Sequence, residues 1–234
     1  MGVNLSTATC FLPFNNSVSE DLTGNTEWEI AGSKEQTYCS IINSCPKTPV
    51  RNVLYLENDM GSSAPIYLTS KPYNYNFETN DFTISFWLKR INVAIGHVPF
   101  LFADSNGTVG MNMLITADYG VQIGAIDINV IKEVYGMGIK WNHYCLVRSN
   151  GTLTFYLNGK VKGTYNLGTN TLGTASVLRI GQWGVPKTRG DGIGGGMFFM
   201  SEFILDIGHA WYTDEFTPVS FLNNNMMNNL SLGE

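Results

Sequence analysis

Along most of the chain the apolar residues recur at every second position. Phe82, Ile84, Phe86 and Leu88 alternate with Thr83, Ser85 and Lys89, and Leu153, Phe155 and Leu157 alternate with Thr152, Thr154 and Asn158. A period of two aims one set of side chains into a core and the other outward, so both runs predict β-strands with one buried face. Further strands are expected at Ala8–Phe14, Val53–Glu57, Pro65–Thr69, Val98–Phe102, Met111–Thr116, Val121–Ile128, Trp141–Arg148, Val161–Tyr165, Val177–Gly181 and Met197–Leu205. Asn-Gly pairs stand at 106–107, 150–151 and 158–159. These residues tolerate the positive φ of tight hairpin turns, so Lys140 to Leu167 predicts a three-stranded meander. A two-residue turn at Asn158-Gly159 puts Lys160 and Lys162 on the face of Leu157 and Phe155. Either the lysine stems cover apolar surface at a sheet edge, or the turn is longer.

No segment carries the 3.6 period of a long helix, and no internal repeat or Pro/Ser-rich linker divides the chain. The expectation is one all-β domain over 8–222, with an N-terminal arm at 1–7 and an Asn-rich tail at 223–234. That tail includes Asn-Asn-Asn-Met-Met-Asn-Asn and is either loose or ordered against a neighbour.

Composition narrows the partners. Of 234 residues 44% are hydrophobic and 12% aromatic, enough for a sizeable core, while 14% are charged against about 25% in an average soluble domain. The net charge of -5 argues against nucleic acid, which calls for surplus Lys and Arg. No run of 18 apolar residues predicts a membrane helix. The first residues lack a basic flank, and Asn4, Ser6, Thr7 and Thr9 interrupt an apolar core, so no Sec signal is expected. Cys10 and Cys145 fall in strands and read as small buried residues. Cys39 and Cys45 are either a loop disulfide or free thiols. With no Cys-x-x-Cys and with His97, His143 and His209 isolated, no metal site is expected from this pattern.

Five segments in order resemble one family. Asp81-Phe-Thr-Ile-Ser-Phe-Trp-Leu-Lys is similar to the "DFTIEFWV" strand of concanavalin A-like, laminin-G-like jelly-roll domains. Trp141-Asn-His-Tyr-Cys-Leu-Val-Arg and Gly151-Thr-Leu-Thr-Phe-Tyr-Leu-Asn-Gly resemble the family's "WHHVALVR…GTLTLYVNG" hairpin, and Leu178-Arg-Ile-Gly its next strand. Phe198 to Leu205 with Ala210-Trp-Tyr-Thr-Asp-Glu-Phe-Thr-Pro resembles the closing element, and Phe11 to Trp28 the opening "LLHFDG…DSSGNTW". The resemblance implies a two-sheet antiparallel jelly-roll sandwich. Its Tyr-Thr-x-x-Phe-Thr-Pro ending is similar to domains of tailed-bacteriophage virion proteins.

Some relatives hydrolyse glycans with a Glu-x-Asp-x-x-Glu strand. Here Glu202 and Asp206 approach that pattern, but at i and i+4 they stand roughly 13 Å apart at Cα, and Ile204 holds the intermediate position. No Gly-x-Ser-x-Gly occurs, and no basic partner is identified for Cys145, which sits mid-strand, so no enzyme and no catalytic residue is expected. Gly190, Gly192 and Gly195 match G-x-G-x-x-G without a strand–turn–helix context, and Arg189-Gly190-Asp191 reads as a solvated turn within a glycine-rich loop. The family sometimes binds calcium at loop oxygens, for which Asp104, Asn106, Asp118 and Asp191 are the candidates; no other cofactor is implied. Trp87, Trp141 and Phe203 are assigned to packing, in the core or under a loop. Glycan or interface candidates are Tyr73, Tyr75 and Trp183, aromatic residues in predicted loops flanked by Asn74, Asn76 and Gln182.

Two functions follow as expectations. The first is a non-enzymatic structural protein of a bacteriophage particle: a capsid decoration, head fibre or tail adhesion module. Located in the virion, it acts through contacts with its own copies or other virion proteins and holds glycans weakly. The alternative is a carbohydrate-binding module or lectin. Neither involves nucleic acid or a membrane.

Overall fold

Phe86 stacks on Tyr144 at 5.3 Å and on Phe203 at 5.9 Å, and meets Phe100 edge-on at 6.1 Å. These rings come from two sheets, and their contact marks the centre of the core. The computed structural model describes residues 5–14, 17–32, 37–43, 52–58, 66–92, 96–104, 109–116, 121–125, 128–131, 139–182 and 196–219.

After a single 3-10 turn at Leu5–Thr7, the strands are β1 (Cys10–Leu12), β2 (Trp28–Ala31), β3 (Thr37–Asn43), β4 (Asn52–Asn58), β5 (Tyr67–Ser70), β6 (Tyr75–Asn76), β7 (Phe82–Arg90), β8 (His97–Ala103) and β9 (Val109–Ile115). They continue with β10 (Val121–Ala125), β11 (Ile128–Ile131), β12 (Asn142–Ser149), β13 (Thr152–Leu157), β14 (Lys160–Asn166), β15 (Thr174–Ala175), β16 (Val177–Ile180) and β17 (Met197–Ile207). No helix among the described residues is long and apolar enough to cross a membrane.

One sheet runs β14-β13-β12-β7-β17-β4-β3, with β1 also on β17, and the other runs β11-β10-β9-β8-β16-β5-β2. The strands pair antiparallel throughout. The all-β domain expected from the alternation, and the two-sheet sandwich implied by the family resemblance, are the observed architecture. A short ribbon of β6 and β15 lies apart from both sheets. Strand β17 is long enough to be served twice on one flank. Its first residues pair with β4, Met197 opposite Glu57, and its later ones with β1, Leu205 opposite Cys10. Its other flank lies along β7.

The inward phase of β7 is Phe82, Ile84, Phe86 and Leu88, none more than 1% exposed. They face Phe100, Phe102, Met111, Met113, Ile115, Val121 and Ile123 of the opposing sheet within one continuous core. Each such side chain contributes about 1.5 to 3 kcal/mol by leaving water, which offsets the entropy lost in ordering many short strands.

Three local features depart from the plain pattern. The Asn158-Gly159 turn is tight, with φ of 53° and 75°, and Leu157 stands opposite Lys160. A bulge then slips the register so that Tyr156 faces Val161 and Phe155 faces Gly163, which leaves Lys162 out of the inward phase. The 121–128 run, expected as one strand, is two. β10 ends at Ala125 and β11 pairs antiparallel with it from Ile128, a break the alternation does not show. The edge strand β2 carries exposed Glu29 and Ile30 and has no alternating signature.

At the N-terminus Leu5 packs beside Ala8, Phe11, Ile204 and Trp211, so the described part of the arm lies on its own domain. The Asp21 carboxylate accepts from the N–H groups of Phe11, Thr23 and Thr26 and from both threonine hydroxyls, and Trp28 Nε1 donates to Thr26 Oγ1 at 2.7 Å. This knot forms the opening segment seen in the sequence resemblance.

Candidate functional site

The outward phase of the larger sheet is aromatic where its strands β4, β17, β7 and β12 adjoin. Leu54 and Leu56 point inward on β4, so Tyr55 points out; Phe198 and Met200 do the same for Phe199, and Phe86 and Leu88 for Trp87. The register sets Tyr55 opposite Phe199, Phe199 opposite Lys89, and Trp87 opposite both Ser201 and His143. Trp141, the residue before β12, lays its indole 6.4 Å from the Phe199 ring. Tyr55 stacks on Phe199 at 5.4 Å, and Lys89 Nζ lies 5.6 Å from the centre of the same ring. That geometry attracts the ammonium to the ring face. Tyr55, Glu57, Trp87, Lys89, Trp141 and Phe199 are all half-buried. The Tyr55 hydroxyl donates to Glu57 Oε2, fixing a carboxylate at the rim.

Below this row Trp87 meets His143 edge-on at 5.1 Å. His143 is 3% exposed and shares a 2.8 Å hydrogen bond between its Nε2 and Ser85 Oγ. Burial lowers its pKa to about 3, so the ring is neutral at physiological pH. Its Nδ1 has no partner, nor do the buried Nε1 atoms of Trp87 and Trp141. Three unsatisfied ring nitrogens thus fall on neighbouring strands of one face. A buried polar atom without a partner costs about 1 to 3 kcal/mol, and these three lie beneath the rings rather than at the surface.

The closing segment bounds the site. Phe216 meets His143 edge-on at 5.7 Å and stacks on Tyr212 at 3.6 Å. Together with Ala210 they cover Cys145, Val147 and Tyr156. The Phe216 N–H donates to Gly159 O at 2.9 Å, and Glu215 binds Lys160 Nζ at 2.8 Å. Flat rings bordered by a carboxylate and an ammonium suit an oxygen-rich ligand with apolar C–H faces.

Glu202 and Asp206, the nearest match to the hydrolase pattern, do not meet in a groove. β17 bulges between Ser201 and Ile204, and Glu202 sits in that bulge at φ 52°, 1% exposed. The bulge breaks the period that made Glu202 and Asp206 share a face. Asp206 is fully buried and accepts from Thr7 Oγ1 at 2.9 Å, His209 Nδ1 at 2.9 Å and Trp211 Nε1 at 2.7 Å. Burial pushes the thiol pKa values of Cys10 and Cys145 up and that of Cys39 to about 12, so none is a thiolate nucleophile near neutral pH. Cys39 is a free thiol, and Cys45 lies outside the described residues.

Of the residues expected to recognise glycans, Tyr75 is fully buried, with Tyr73 at 5.0 Å on one side and Phe102 at 5.4 Å on another. It has no ring face for a ligand: β6 turns it inward and leaves Asn74 and Asn76 exposed. Tyr73 is half-buried, and its N–H donates to Ser176 O at 2.9 Å. Trp183 lies outside the described residues, beside Gln182, which is 6% exposed with its Oε1 unpartnered. Phe203 is in the core, whereas Trp87 and Trp141 belong to the outward face. Among the described residues no three His, Cys, Asp or Glu side chains gather as cation ligands, and of the calcium candidates only Asp104 is described.

No curated protein matches the chain in sequence. Among the solved structures that resemble it are binding domains of toxins. A botulinum neurotoxin type C structure aligns with a TM-score of 0.62 and 16% identity over 97% of this chain and 52% of its own. The binding domain of Paraclostridial mosquitocidal protein 1 gives 0.61 and 14% over 87% and 49%. The botulinum serotype D ligand-binding domain gives 0.57 and 14% over 91% and 49%. The chain spans about half the length of these structures, and at such identities the likeness is one of fold. The family model of the concanavalin A-like lectin/glucanases superfamily matches residues 61–192, more than half of the chain. The chain belongs to this superfamily.

Proposed function

We propose that the protein is a non-enzymatic recognition module that binds glycans on the outer aromatic face of its larger sheet. The carrying observation is the juxtaposition of half-buried Tyr55, Phe199, Trp87 and Trp141 with the Lys89 ammonium over the Phe199 ring and the Glu57 carboxylate at the rim. Sugar C–H faces pack on such rings, and sugar hydroxyls hydrogen-bond to charged groups at the rim. The engaged state of Asp206 and the buried setting of Glu202 support binding rather than hydrolysis. Among the similar structures, type C toxin entry depends on interaction with two ganglioside molecules, and the serotype D domain was solved with N-acetylneuraminic acid. A glycan array tests the reading. The unmodified protein gives a signal that Phe199→Ala and Tyr55→Ala abolish, with Tm shifted by only a few degrees. Trp183→Ala tests the loop as a contributor. An array without signal for the unmodified protein refutes glycan binding.

The setting we propose is the surface of a tailed-bacteriophage particle, where the module meets its own copies or other virion proteins. This rests on the Tyr212-Thr-Asp-Glu-Phe-Thr-Pro segment, similar to virion domains in sequence, and on the low charge. The segment forms an ordered strap on the sheet. Mass spectrometry of purified particles detects the chain if this setting is right, and its consistent absence refutes it.

A further inference from the structure

Two of the three Asn-Gly pairs in the sequence form turns of the same shape. Asn150 and Gly151, between β12 and β13, have φ of 49° and 78°, and Asn158 and Gly159, between β13 and β14, have φ of 53° and 75°. Each is a two-residue hairpin loop, closed by Ser149 opposite Thr152 and by Leu157 opposite Lys160. Both asparagines are exposed, so neither backbone shape nor exposure sets them apart. The third pair, 106–107, lies outside the described residues.

Their side-chain amides differ. Asn158 Oδ1 accepts the His143 N–H at 2.9 Å, and its Nδ2 donates to Asn142 Oδ1 at 2.9 Å. Asn142 is 1% exposed and donates in turn to Lys140 O at 3.1 Å, so the Asn158 amide is tied at both ends to a buried frame. The Asn150 amide has one long contact, Nδ2 to Ser149 Oγ at 3.4 Å, and its Oδ1 accepts from no described residue. Only its main-chain N–H is held, by Asp81 Oδ1 at 2.9 Å. The Asn150 side chain is therefore free to swing toward the next peptide nitrogen. That nitrogen belongs to a glycine, which has no side chain to screen it and whose backbone reaches conformations closed to other residues.

We infer that Asn150 is a site of spontaneous modification, converted in the folded protein to aspartate and isoaspartate, while its two bonds protect Asn158 in the same dipeptide at the next hairpin. The Gly151 nitrogen attacks Asn150 Cγ, a new C–N bond closes a five-membered imide, and the side-chain nitrogen leaves as ammonia with the proton lost from Gly151. Water then opens the imide: addition at Cγ gives aspartate, and addition at the main-chain carbonyl gives isoaspartate. Either product places a new carboxylate beside Asp81. Isoaspartate also adds a methylene to the backbone of the turn, which displaces Gly151 O from the Leu167 and Gly168 N–H groups it accepts at 2.8 and 3.0 Å. Asn150 and Trp141 stand at opposite ends of β12, so this chemistry is independent of the function proposed for the aromatic face.

Ageing the full chain at mildly alkaline pH, folded in buffer and unfolded in urea, tests it. Trypsin cuts after Arg148 and Lys160, so one peptide, 149–160, carries both asparagines, and fragmentation mass spectrometry reads them side by side. In the folded protein Asn150 is expected to convert faster than Asn158 by roughly tenfold or more, since Asn158 must first break two hydrogen bonds. In urea the two convert at comparable rates, which assigns the difference to the fold. Asn150→Gly keeps the positive φ and removes the product at 150. Hydrogen exchange of the aged folded protein rises in 166–170. The inference is overturned if folded protein shows no conversion at 150, if Asn158 converts as fast, or if the same preference for 150 persists in urea.

Discussion

A Cβ placed on Gly159 stands 1.8 Å from the carbonyl oxygen of Phe216. The hairpin turn and the closing strap are therefore in backbone contact, and only a glycine permits it. Gly159→Ala adds this clash to the strain of φ 75°, which alone costs an alanine roughly 1 to 2 kcal/mol. Gly24 has φ 70° and open space around it, so Gly24→Ala supplies the strain without the clash. The expected Tm loss is larger for Gly159→Ala, by about 4 °C or more. Limited proteolysis of that variant cuts first within 209–219. Equal Tm losses refute the contact.

Acid weakens the fold through two histidines. Burial lowers His97 to about 4 and His143 to about 3, against an unfolded value near 6.5. The unfolded chain takes up these protons first. Stability is therefore complete above pH 6.5 and falls as the pH drops from there toward 4 for His97 and 3 for His143. His97 also has a fixed tautomer. Its Nε2 donates to Asn92 O at 2.6 Å, and its Nδ1 accepts the Met197 N–H at 3.0 Å, a bond that protonation removes. Urea midpoints measured between pH 7.5 and 4 decline for the unmodified protein and decline less for His97→Gln.

Arg148 holds one end of the sandwich shut. It is 1% exposed, and it donates through Nη1 to Glu78 O at 2.7 Å and through Nη2 to Asn170 O at 3.0 Å and Gly168 O at 3.3 Å. Arg148→Met keeps much of the packing but removes these three donations, leaving Glu78 O with the Leu172 N–H alone, for an expected loss of about 1 to 3 kcal/mol. Hydrogen exchange then rises in 76–80 and 167–172, while glycan-array binding at the aromatic face persists.

Asp206 ties the N-terminal turn to the closing strap through Thr7 and Trp211. Asp206→Ala strands the buried Trp211 indole N–H and lowers stability by about 2 to 4 kcal/mol. Proteolysis near residue 7 accelerates. Any loss of glycan binding with the fold intact contradicts the structural role assigned to Asp206.

The sheets were legible because strands such as β7 and β13 separate their two faces cleanly by residue type. β2 was not, since an edge strand with Glu29 and Ile30 both exposed has no inward phase to detect. The aromatic face was half legible. Once Phe86 and Leu88 are inward, Trp87 must be outward, and the same logic exposes Tyr55 and Phe199. What period two cannot provide is strand order, and residues 55, 199 and 89 meet only because β17 inserts between β4 and β7. The opposite error arose at Tyr75. Its neighbours Asn74 and Asn76 suggested a loop, but the β6–β15 ribbon turns the ring into the core.

Because β17 fills the middle of the larger sheet, flanked by β7 on one side and by β4 and β1 on the other, that sheet stays open until residue 207 has left the ribosome. The nascent chain carries unpaired edges and the Phe86 side of its core uncovered until β17 arrives. Assembly is a late, nearly all-or-none event, and a ribosome stalled before Met197 holds a product unable to adopt the native shape.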